Sequence, residues 1–231
     1  VPEEEWEDDV DEEEYDNQQE DEELPRLPHR TTRHKNFIGK VLFLCAQARP
    51  RFDPGRNAWW DGKIGMWAVG TWEPAARDSV RRPAGTLEWK GTSINRDSYR
   101  NLLLQNVVPA IMASWPRQQW NNNRFIVRIQ QDGPSSHISP DDEGFLEGLR
   151  RLGVENKVLL YTQPPNSPDL NINDLGFFRA LSARHEKLII NEVDELIDAV
   201  RNIYLEFPYH KINFIYLTLQ SVMNEIIKCN G

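Results

Sequence analysis

The chain has 231 residues, of which 39% are hydrophobic and 10% aromatic, enough to build one large domain or two small ones. No apolar run approaches the roughly 18 to 20 residues that span a bilayer, so we expect no membrane-spanning helix. The two cysteines, Cys45 and Cys229, lie far apart and belong to no C-x-x-C pair. This pattern favours free thiols in a reducing compartment over a disulfide or a metal site.

The formal net charge of −9 conceals a division of the chain into an acidic segment and a mildly basic remainder. Residues 1–25 contain fifteen acidic residues and no basic one, a composition that predicts disorder because it repels itself and has little to bury. The other 21 of the 36 acidic residues stand against 27 Lys and Arg, so residues 26–231 carry a net charge of +6. That bias is compatible with a phosphate-backbone partner but is too weak to indicate one alone.

The first half of the chain predicts two strands and a long helix. Residues 40–48 form a continuous apolar run, typical of a strand buried on both faces, and residues 64–72 follow the turn signal Asp61-Gly62 as its antiparallel partner. Residues 74–94 lack a clean period, which predicts a long loop. Residues 97–115 have apolar residues at helical spacing, with a kink or break expected at Pro109.

The second half of the chain alternates strands with helices. Residues 125–129 and 158–162 predict short strands, and Ser139-Pro140 predicts the capped start of a helix that stops at Gly153. Three further helices are predicted over residues 175–187, 193–205 and 211–229. An antiparallel pair followed by this alternation indicates an α/β fold, with a mixed sheet flanked by helices.

Two carboxylates occupy positions where such folds place chemistry. Asp132 directly follows a predicted strand, and the carboxyl ends of strands are where α/β sheets bind ligands. Asp174 follows a proline-stiffened turn, where the backbone cannot easily move it. Magnesium and manganese prefer carboxylate oxygens and promote in-line phosphoryl displacement. From spacing alone, a metal site competes with the interpretations of Asp132 as a loop cap and of Asp174 as a helix N-cap.

The residues around both acids resemble two motifs of mariner-like DDE/DDD transposases. QQDGPSSH, at residues 130–137, resembles the Q-Q-D-N-A-x-x-H motif of the second catalytic acid. QPPNSPDLNINDLGFFRAL, at residues 163–181, resembles the P-x-x-S-P-D-L-N-x-x-[DE] motif of the third. HKNFIGKVLFLCAQARPRFD and WDGKIGMW are similar to the strands between the first and second acids. The resemblance covers residues 24–183.

The resemblance implies a ribonuclease H-like fold and metal-dependent DNA strand cleavage and transfer. Asp132 matches the second metal-binding acid and Asp174 the third, with two Mg²⁺ or Mn²⁺ ions as cofactor. His137 matches the motif histidine, which implies a supporting or phosphate-facing role, and Gln131 and Asn171 are expected to support the turns around the acids. The implied partners are transposon-end and target DNA, the implied location is the nucleus, and a homodimer is one assembly that the resemblance allows.

The expected organisation has three parts. Residues 1–25 are the acidic segment, residues 26–190 the transposase catalytic domain, and residues 191–231 helices that pack on it. Family members carry helix-turn-helix domains ahead of the catalytic domain, and this sequence contains none, so we expect a fragment or a truncated descendant.

The sequence departs from the family at two points. Nothing spells the D-E-K-W-F motif of the first acid; the nearest match, Glu3-Glu4-Glu5-Trp6, puts Glu3 in its place within a run too acidic for a buried strand. Gly133 replaces the asparagine of the second motif, and Asp169 matches a structural aspartate of the third. Two hypotheses therefore stand: a polynucleotidyl transferase, or a catalytically inactive transposase-derived protein that binds DNA or another protein.

Overall fold

A computed structural model describes residues 41–80, 82–185 and 192–229, and within these ranges the chain is a mixed α/β protein. The eight strands described are β1 Phe43–Gln47, β2 Arg51–Asp53, β3 Ala58–Trp60, β4 Lys63–Ala68, β5 Gly70–Pro74, β6 Leu87–Gly91, β7 Val127–Gln131 and β8 Val158–Thr162. The α-helices described are α1 Arg96–Leu102, α2 Val108–Ser114, α3 Arg117–Trp120, α4 Glu143–Arg151, α5 Phe178–His185, α6 Val193–Glu206 and α7 Tyr209–Lys228.

The described strands form four two-stranded sheets rather than the single mixed sheet that the sequence predicts. Strands β1 and β4, β2 and β3, and β5 and β6 pair antiparallel, whereas β7 and β8 pair parallel. The α/β class is therefore confirmed. The sheet is interrupted because β1 and β7 each leave one edge without a strand partner among the described residues.

Two apolar clusters hold these elements together. The first joins the helix from α1 to α2 with α4, β7 and β8, and its most buried members include Val108, Phe145 and Val158. The second joins β4 with α5, α6 and α7 and centres on Phe177, whose ring is fully buried. The first cluster therefore lies beneath β7, the strand that precedes Asp132, and the second lies beneath the turn that carries Asp174.

The predicted antiparallel pair is confirmed, with two corrections. Strands β1 and β4 pair from Phe43 opposite Ala68 to Gln47 opposite Lys63, with an irregularity after Ala46. All five residues of β1 are half-buried, so the prediction of a strand buried on both faces is wrong. The predicted partner is also shorter than residues 64–72, because the chain leaves β4 at Ala68 and begins β5 at Gly70.

Residues 74–94 are not the long loop that the sequence predicts. Strand β6 pairs with β5 so that Trp72 lies opposite Trp89, and the two rings pack edge to face at 5.5 Å between centroids. The salt bridge from Lys90 to Glu73, at 2.8 Å, is also cross-strand. Glu73, Glu88 and Lys90 share one face of the hairpin and the two tryptophans the other. Each strand is only five residues long, which is too short to give a visible period over residues 74–94. Arg81, within the predicted loop, lies outside the described residues.

Of the kink or break predicted at Pro109, the break does not occur, because the helix continues through this residue. Residues Leu103–Val107 form a π-helical turn between α1 and α2, and the Val108 N–H donates to the carbonyl of Leu103. This extra residue in the turn places Pro109, which has no N–H, in the first turn of α2 without ending the helix. The helix ends at Ser114, close to the predicted residue 115.

The helix after β7 begins later than the sequence predicts. Asp142, and not Ser139, caps α4: its Oδ1 accepts from the Phe145 N–H at 2.8 Å. Arg100 also binds Asp142, with its Nε at 2.6 Å from Oδ1, so that a side chain from α1 fixes the cap. The predicted stop is confirmed, since Gly153 follows α4 with a φ of 68°.

The last two predicted helices are confirmed within two residues as α6 and α7, with Pro208 between them. The helix predicted over residues 175–187 is described only to His185, the end of α5. None of the described helices is long and apolar enough to cross a membrane. The acidic segment 1–25, Glu3 and the start of the proposed catalytic domain lie outside the described residues.

Gly62 is the glycine whose replacement we expect to be most costly for the β1–β4 pair. Its φ of 76° is left-handed, and a Cβ there would overlap the Ala48 carbonyl. Gly62→Ala is therefore expected to lower the free energy of unfolding by about 2 kcal/mol or more in urea titrations. Gly85 is the matched control, because its φ is 85° and a Cβ at this position would have nothing within 4 Å. Equal losses at the two positions would contradict a contribution from the overlap.

Candidate functional site

Asp132 lies where a parallel pair of strands ends. Gln131 and Thr162 are opposite one another at the last position of β7 and β8, and Asp132 is the next residue of the chain. Its side chain is 46% exposed, so the carboxylate is supported by the sheet and still reaches solvent. The structure therefore places Asp132 at the carboxyl edge of strands, where α/β proteins bind ligands.

Asp174 is held beside this edge by a turn that two glutamines tie to the strands. The turn contains the 3-10 helix Pro168–Leu170 and leads into the π-helical turn Asn173–Phe177, which includes Asp174. Gln130 donates from Nε2 to the Leu170 carbonyl at 2.7 Å. Gln163 donates from Nε2 to the carbonyl of Ser167 at 3.2 Å. The position of Asp174 is thus coupled directly to the ends of β7 and β8.

The two acids interact electrostatically. Partial burial raises the pKa of Asp174, and the negative charge of Asp132 raises it further. A hydrogen bond from Asn171 Nδ2 to Asp174 Oδ2, at 2.9 Å, opposes both effects by favouring the carboxylate. Two carboxylates that repel one another in a half-exposed site attract a cation, because a bound positive charge removes the repulsion.

His137 supports Asp132 from the loop that follows it. Its Nδ1 lies 3.1 Å from Asp132 Oδ1 and 3.2 Å from the Asp132 carbonyl oxygen. The imidazole stacks on the buried ring of Tyr99, with centroids 3.9 Å apart and planes at 8°. The stack fixes the plane of the imidazole, so an Nδ1–H tautomer donates toward Asp132 and orients its carboxylate.

Gln131 closes the loop between the strand and α4. Its side chain is only 6% exposed, and its Nε2 donates to the Ile138 carbonyl at 2.6 Å and toward Thr162 Oγ1 at 3.2 Å. Its Oε1 is buried without a hydrogen-bond partner among the described residues. An unpaired buried acceptor costs about 1–3 kcal/mol, so Gln131 supports the turn while keeping one unsatisfied group.

Asp169 is the other aspartate of the turn before Asp174. It is exposed in the 3-10 helix Pro168–Leu170, whereas Asn171 contacts Asp174 directly. Asn171 Oδ1 also accepts from the Asn173 N–H at 3.1 Å, which shapes the start of the π-helical turn. The predicted support of the turn is thus visible at Asn171.

The residues present fit a divalent cation in donor chemistry, with an incomplete set of ligands. Asp132 and Asp174 supply the carboxylate oxygens that Mg²⁺ and Mn²⁺ prefer, and such ions retain several waters. Within the described ranges, no group of three His, Cys, Asp or Glu side chains is arranged to hold a metal. Glu3, the candidate for the first acid, lies outside those ranges, so the structure contributes two acids to the site.

A cavity of about 320 Å³ separates the open edges of β1 and β7. Residues of both strands line it, and the buried helix residues Tyr99, Leu103 and Val107 line it from one side. The β1 edge is partly satisfied by side chains: Tyr216 Oη donates to the Gln47 carbonyl at 3.2 Å. The Oε1 of Gln47 is buried there without a partner among the described residues. Two strand edges therefore face one space.

Three residues that position the site were not predicted from the sequence. Tyr99 stacks on His137, and burial raises its pKa, with a smaller contribution from the charge of Asp132. Gln130 and Gln163 join the strands to the turn before Asp174. The sequence signal for the glutamines is that Gln130 is the first residue of the QQDGPSSH match and Gln163 the first residue of the second matching segment. Tyr99 is indistinguishable from an ordinary apolar position of an amphipathic helix.

Comparison of the chain with protein-family models, with curated proteins and with solved structures gave no match.

Proposed function

We propose that this chain is the catalytic part of a transposase-type polynucleotidyl transferase with a ribonuclease H-like fold, which cleaves and joins DNA strands. One observation carries the proposal: Asp132 at a strand end and Asp174 in a rigid turn are close enough for their charges to interact. These are also the two positions at which the sequence resembles the second and third acid motifs of mariner-like transposases. The proposed partners are transposon-end and target DNA, in the nucleus, with a homodimer as the proposed assembly.

The chemistry assigned to the residues is a pair of in-line displacements at phosphorus. Asp132 and Asp174 would hold divalent cations, which when bound polarise a phosphate oxygen and lower the pKa of attacking water. Water attacks the phosphodiester, its proton passes to solvent, and the bond from phosphorus to the 3′-oxygen breaks. The freed 3′-hydroxyl then attacks a phosphodiester of target DNA and loses its proton to solvent, while the bond from that phosphorus to the target strand's 3′-oxygen breaks and the released oxygen takes up a proton. His137 orients Asp132, and the hydrogen bond from Asn171 favours the carboxylate form of Asp174.

The cavity between β1 and β7 supports the proposal of a ribonuclease H-like mixed sheet. A strand placed there would pair with both open edges and join β4, β1, β7 and β8 into one mixed sheet. It would end beside Asp132 if it ran parallel to β7, which is where the family's first acid belongs. We therefore propose that the opening strand of the ribonuclease H-like sheet occupies this cavity.

A second function is favoured by one specific observation. The described residues supply two carboxylates to the site and no third. The net charge of +6 over residues 26–231 is compatible with binding to a phosphate backbone without cleaving it. The alternative is therefore a catalytically inactive transposase-derived protein that binds DNA or another protein through the same fold.

Strand cleavage separates the two functions. Supercoiled plasmid DNA is incubated with the chain in Mn²⁺ or Mg²⁺, and nicked product is measured over time. The transferase function predicts metal-dependent nicking that Asp132→Asn and Asp174→Asn each reduce at least about a hundredfold. Glu155→Gln, an exposed carboxylate just before β8, is the matched control and should leave the nicking rate unchanged.

Two outcomes would contradict the transferase function. Nicking that is equal in the wild type and both variants would come from another nuclease or another site. DNA binding without nicking, measured by fluorescence anisotropy in the same buffer, would support the inactive binding protein instead.

A further inference from the structure

Four aromatic rings in mutual contact lie on the surface where the β2–β3 hairpin meets the start of α7. Phe52 and Trp59 are opposite one another in the hairpin, and their rings pack edge to face with centroids 6.4 Å apart. Trp59 also stacks on Tyr209, at 5.6 Å between centroids and 21° between planes, and the His210 ring packs against Tyr209 at 6.0 Å. We call Phe52, Trp59, Tyr209 and His210 the aromatic patch.

The hairpin is fixed through its inner face, which leaves the aromatic patch open to solvent. On the inner face Trp60 is buried against Trp115, at 5.0 Å between centroids, and the Arg51 guanidinium lies over both rings. On the outer face Trp59 is 55% exposed, and the other members of the patch are exposed as well. Single exposed apolar side chains are ordinary on a protein surface, whereas a contiguous group of them marks an interaction site.

The surroundings of the aromatic patch are basic. Segments 49–63 and 205–211, which contain the patch, hold five Lys and Arg residues and three Asp and Glu residues. Two of the three acids already form salt bridges, in the pairs Asp53–Arg56 and Asp61–Lys63. Three cations, including the exposed Lys211 beside His210, therefore remain against one acid, Glu206. Such a surface favours a partner that combines negative charge with aromatic side chains, because opposite charges steer the encounter and ring contacts hold it.

Residues 1–25 of the same chain have the complementary composition. They lie outside the described ranges and contain fifteen acidic residues and no basic one. Their two aromatic residues, Trp6 and Tyr15, each have an acidic residue on both sides in the sequence. The segment therefore offers two rings to the aromatic patch and a large negative charge to the cations around it.

The connection between this segment and the described chain is long enough to reach the patch. Residues 26–40 separate the segment from Val41, the first described residue, and fifteen residues span up to about 50 Å when extended. Strand β1 has only five residues, or about 17 Å, and Phe52 follows its last residue by five positions. No second chain is needed to bring the acidic segment to the patch.

We propose that residues 1–25 dock on the aromatic patch, with the rings of Trp6 and Tyr15 against the patch and the acidic side chains against its flanking cations. Arg49, one of these cations, donates from Nε to Asn213 on α7 at 3.1 Å and also lines the cavity between β1 and β7. A docked segment thus covers positive charge next to the candidate site and competes there with DNA phosphates. The docking rests on the patch and the segment, and only the competition with DNA rests on the proposed function.

Paramagnetic broadening in the full chain tests the docking. A nitroxide is attached at Asn17→Cys, two residues after Tyr15, with the exposed Cys229 replaced by serine. Burial raises the pKa of the Cys45 thiol to about 12, which keeps this thiol unreactive toward the label. We expect the indole N–H signal of Trp59 to broaden, while that of Trp72, exposed in the β5–β6 hairpin, stays sharp. Salt at about 1 M, where the Debye length is about 3 Å, should remove most of the broadening.

The matched variant is Trp6→Ser with Tyr15→Ser, which keeps all fifteen acidic residues and changes no described residue. It should abolish the selective broadening of Trp59. Broadening that survives in this variant would overturn the inference in favour of a purely electrostatic encounter. Equal broadening of Trp59 and Trp72, or none at Trp59, would overturn it as well. So would broadening that disappears when the spin-labelled chain is diluted with unlabelled chain, because the contact would then come from a second copy.

DNA affinity separates the docking from the proposed function. Fluorescence anisotropy with a duplex oligonucleotide should show tighter binding by the double-serine variant than by the wild type, because the two chains have equal charge and only the wild type holds its acidic segment on the patch. Equal affinities would contradict the competition with DNA. Absence of DNA binding in both chains would contradict the proposed function and leave the broadening result in force.

Discussion

Replacing Phe177 by alanine is expected to lower the free energy of unfolding by about 3–5 kcal/mol, the usual cost of removing a fully buried aromatic ring. The Phe177 ring is inaccessible to solvent and contacts three other aromatic rings, those of Phe178, Tyr204 and Phe207. It also anchors the π-helical turn that carries Asp174. The substitution should therefore loosen the site as well as the core. Urea unfolding followed by circular dichroism measures the loss.

Phe214 provides the matched control for this substitution. It lies on α7, and its side chain is 61% exposed. Phe214→Ala should change the free energy of unfolding by no more than about 0.5 kcal/mol, as is usual for surface positions. A loss at Phe177 no larger than the loss at Phe214 would show that the second apolar cluster does not hold the turn.

Replacing Asp132 by asparagine is expected to weaken Mn²⁺ binding by about a hundredfold or more, since even residues that only support metal ligands contribute 10- to 100-fold. The same substitution should alter the pH dependence of whatever binding remains. Burial and the charge of Asp132 both raise the pKa of Asp174, and only the second contribution disappears in the variant. Isothermal titration calorimetry across a pH series measures both effects.

The direction of the pH effect follows from the protonation state that binds the ion. Binding requires the Asp174 carboxylate, so affinity is full above its pKa and falls as the pH drops through it. In Asp132→Asn that fall should move to lower pH. In the metal-free protein the raised pKa has the opposite consequence: the contribution of Asp174 to stability is present at low pH and is lost as the pH rises through the folded pKa. A pH profile that stays unchanged in the variant would contradict the interaction between the two acids.

The elements that the sequence predicted well are those with one dominant signal. The apolar run at β1, the β7 and β8 strands and helices α6 and α7 all combine clear hydrophobic patterns with turn residues at their ends. The β5–β6 hairpin was missed because its two strands are only five residues each and are separated by twelve residues without a regular pattern. The π-helical turn before Pro109 was missed because local sequence favours a break there, and the packing of the buried residues on both sides keeps the helix continuous.

The sequence alone predicts the two acids of the candidate site but not that they lie close together. The positions of Asp132 after a strand and of Asp174 after a rigid turn follow from local patterns. Their proximity depends on the hydrogen bond from Gln130 to the Leu170 carbonyl, which connects segments forty residues apart and leaves no periodic signal. The stack of His137 on Tyr99 has the same origin, because it joins a loop to a helix through tertiary packing.

The central claim is that Asp132 and Asp174 bind the same cation, and a double-mutant cycle of Mn²⁺ affinity tests it most directly. Calorimetry compares the wild type with Asp132→Ala, Asp174→Ala and the double variant. If both carboxylates hold one ion, each single substitution should remove nearly all specific binding, and the double variant should lose little more. Losses that add independently, or wild-type binding that neither substitution changes, would contradict a shared site.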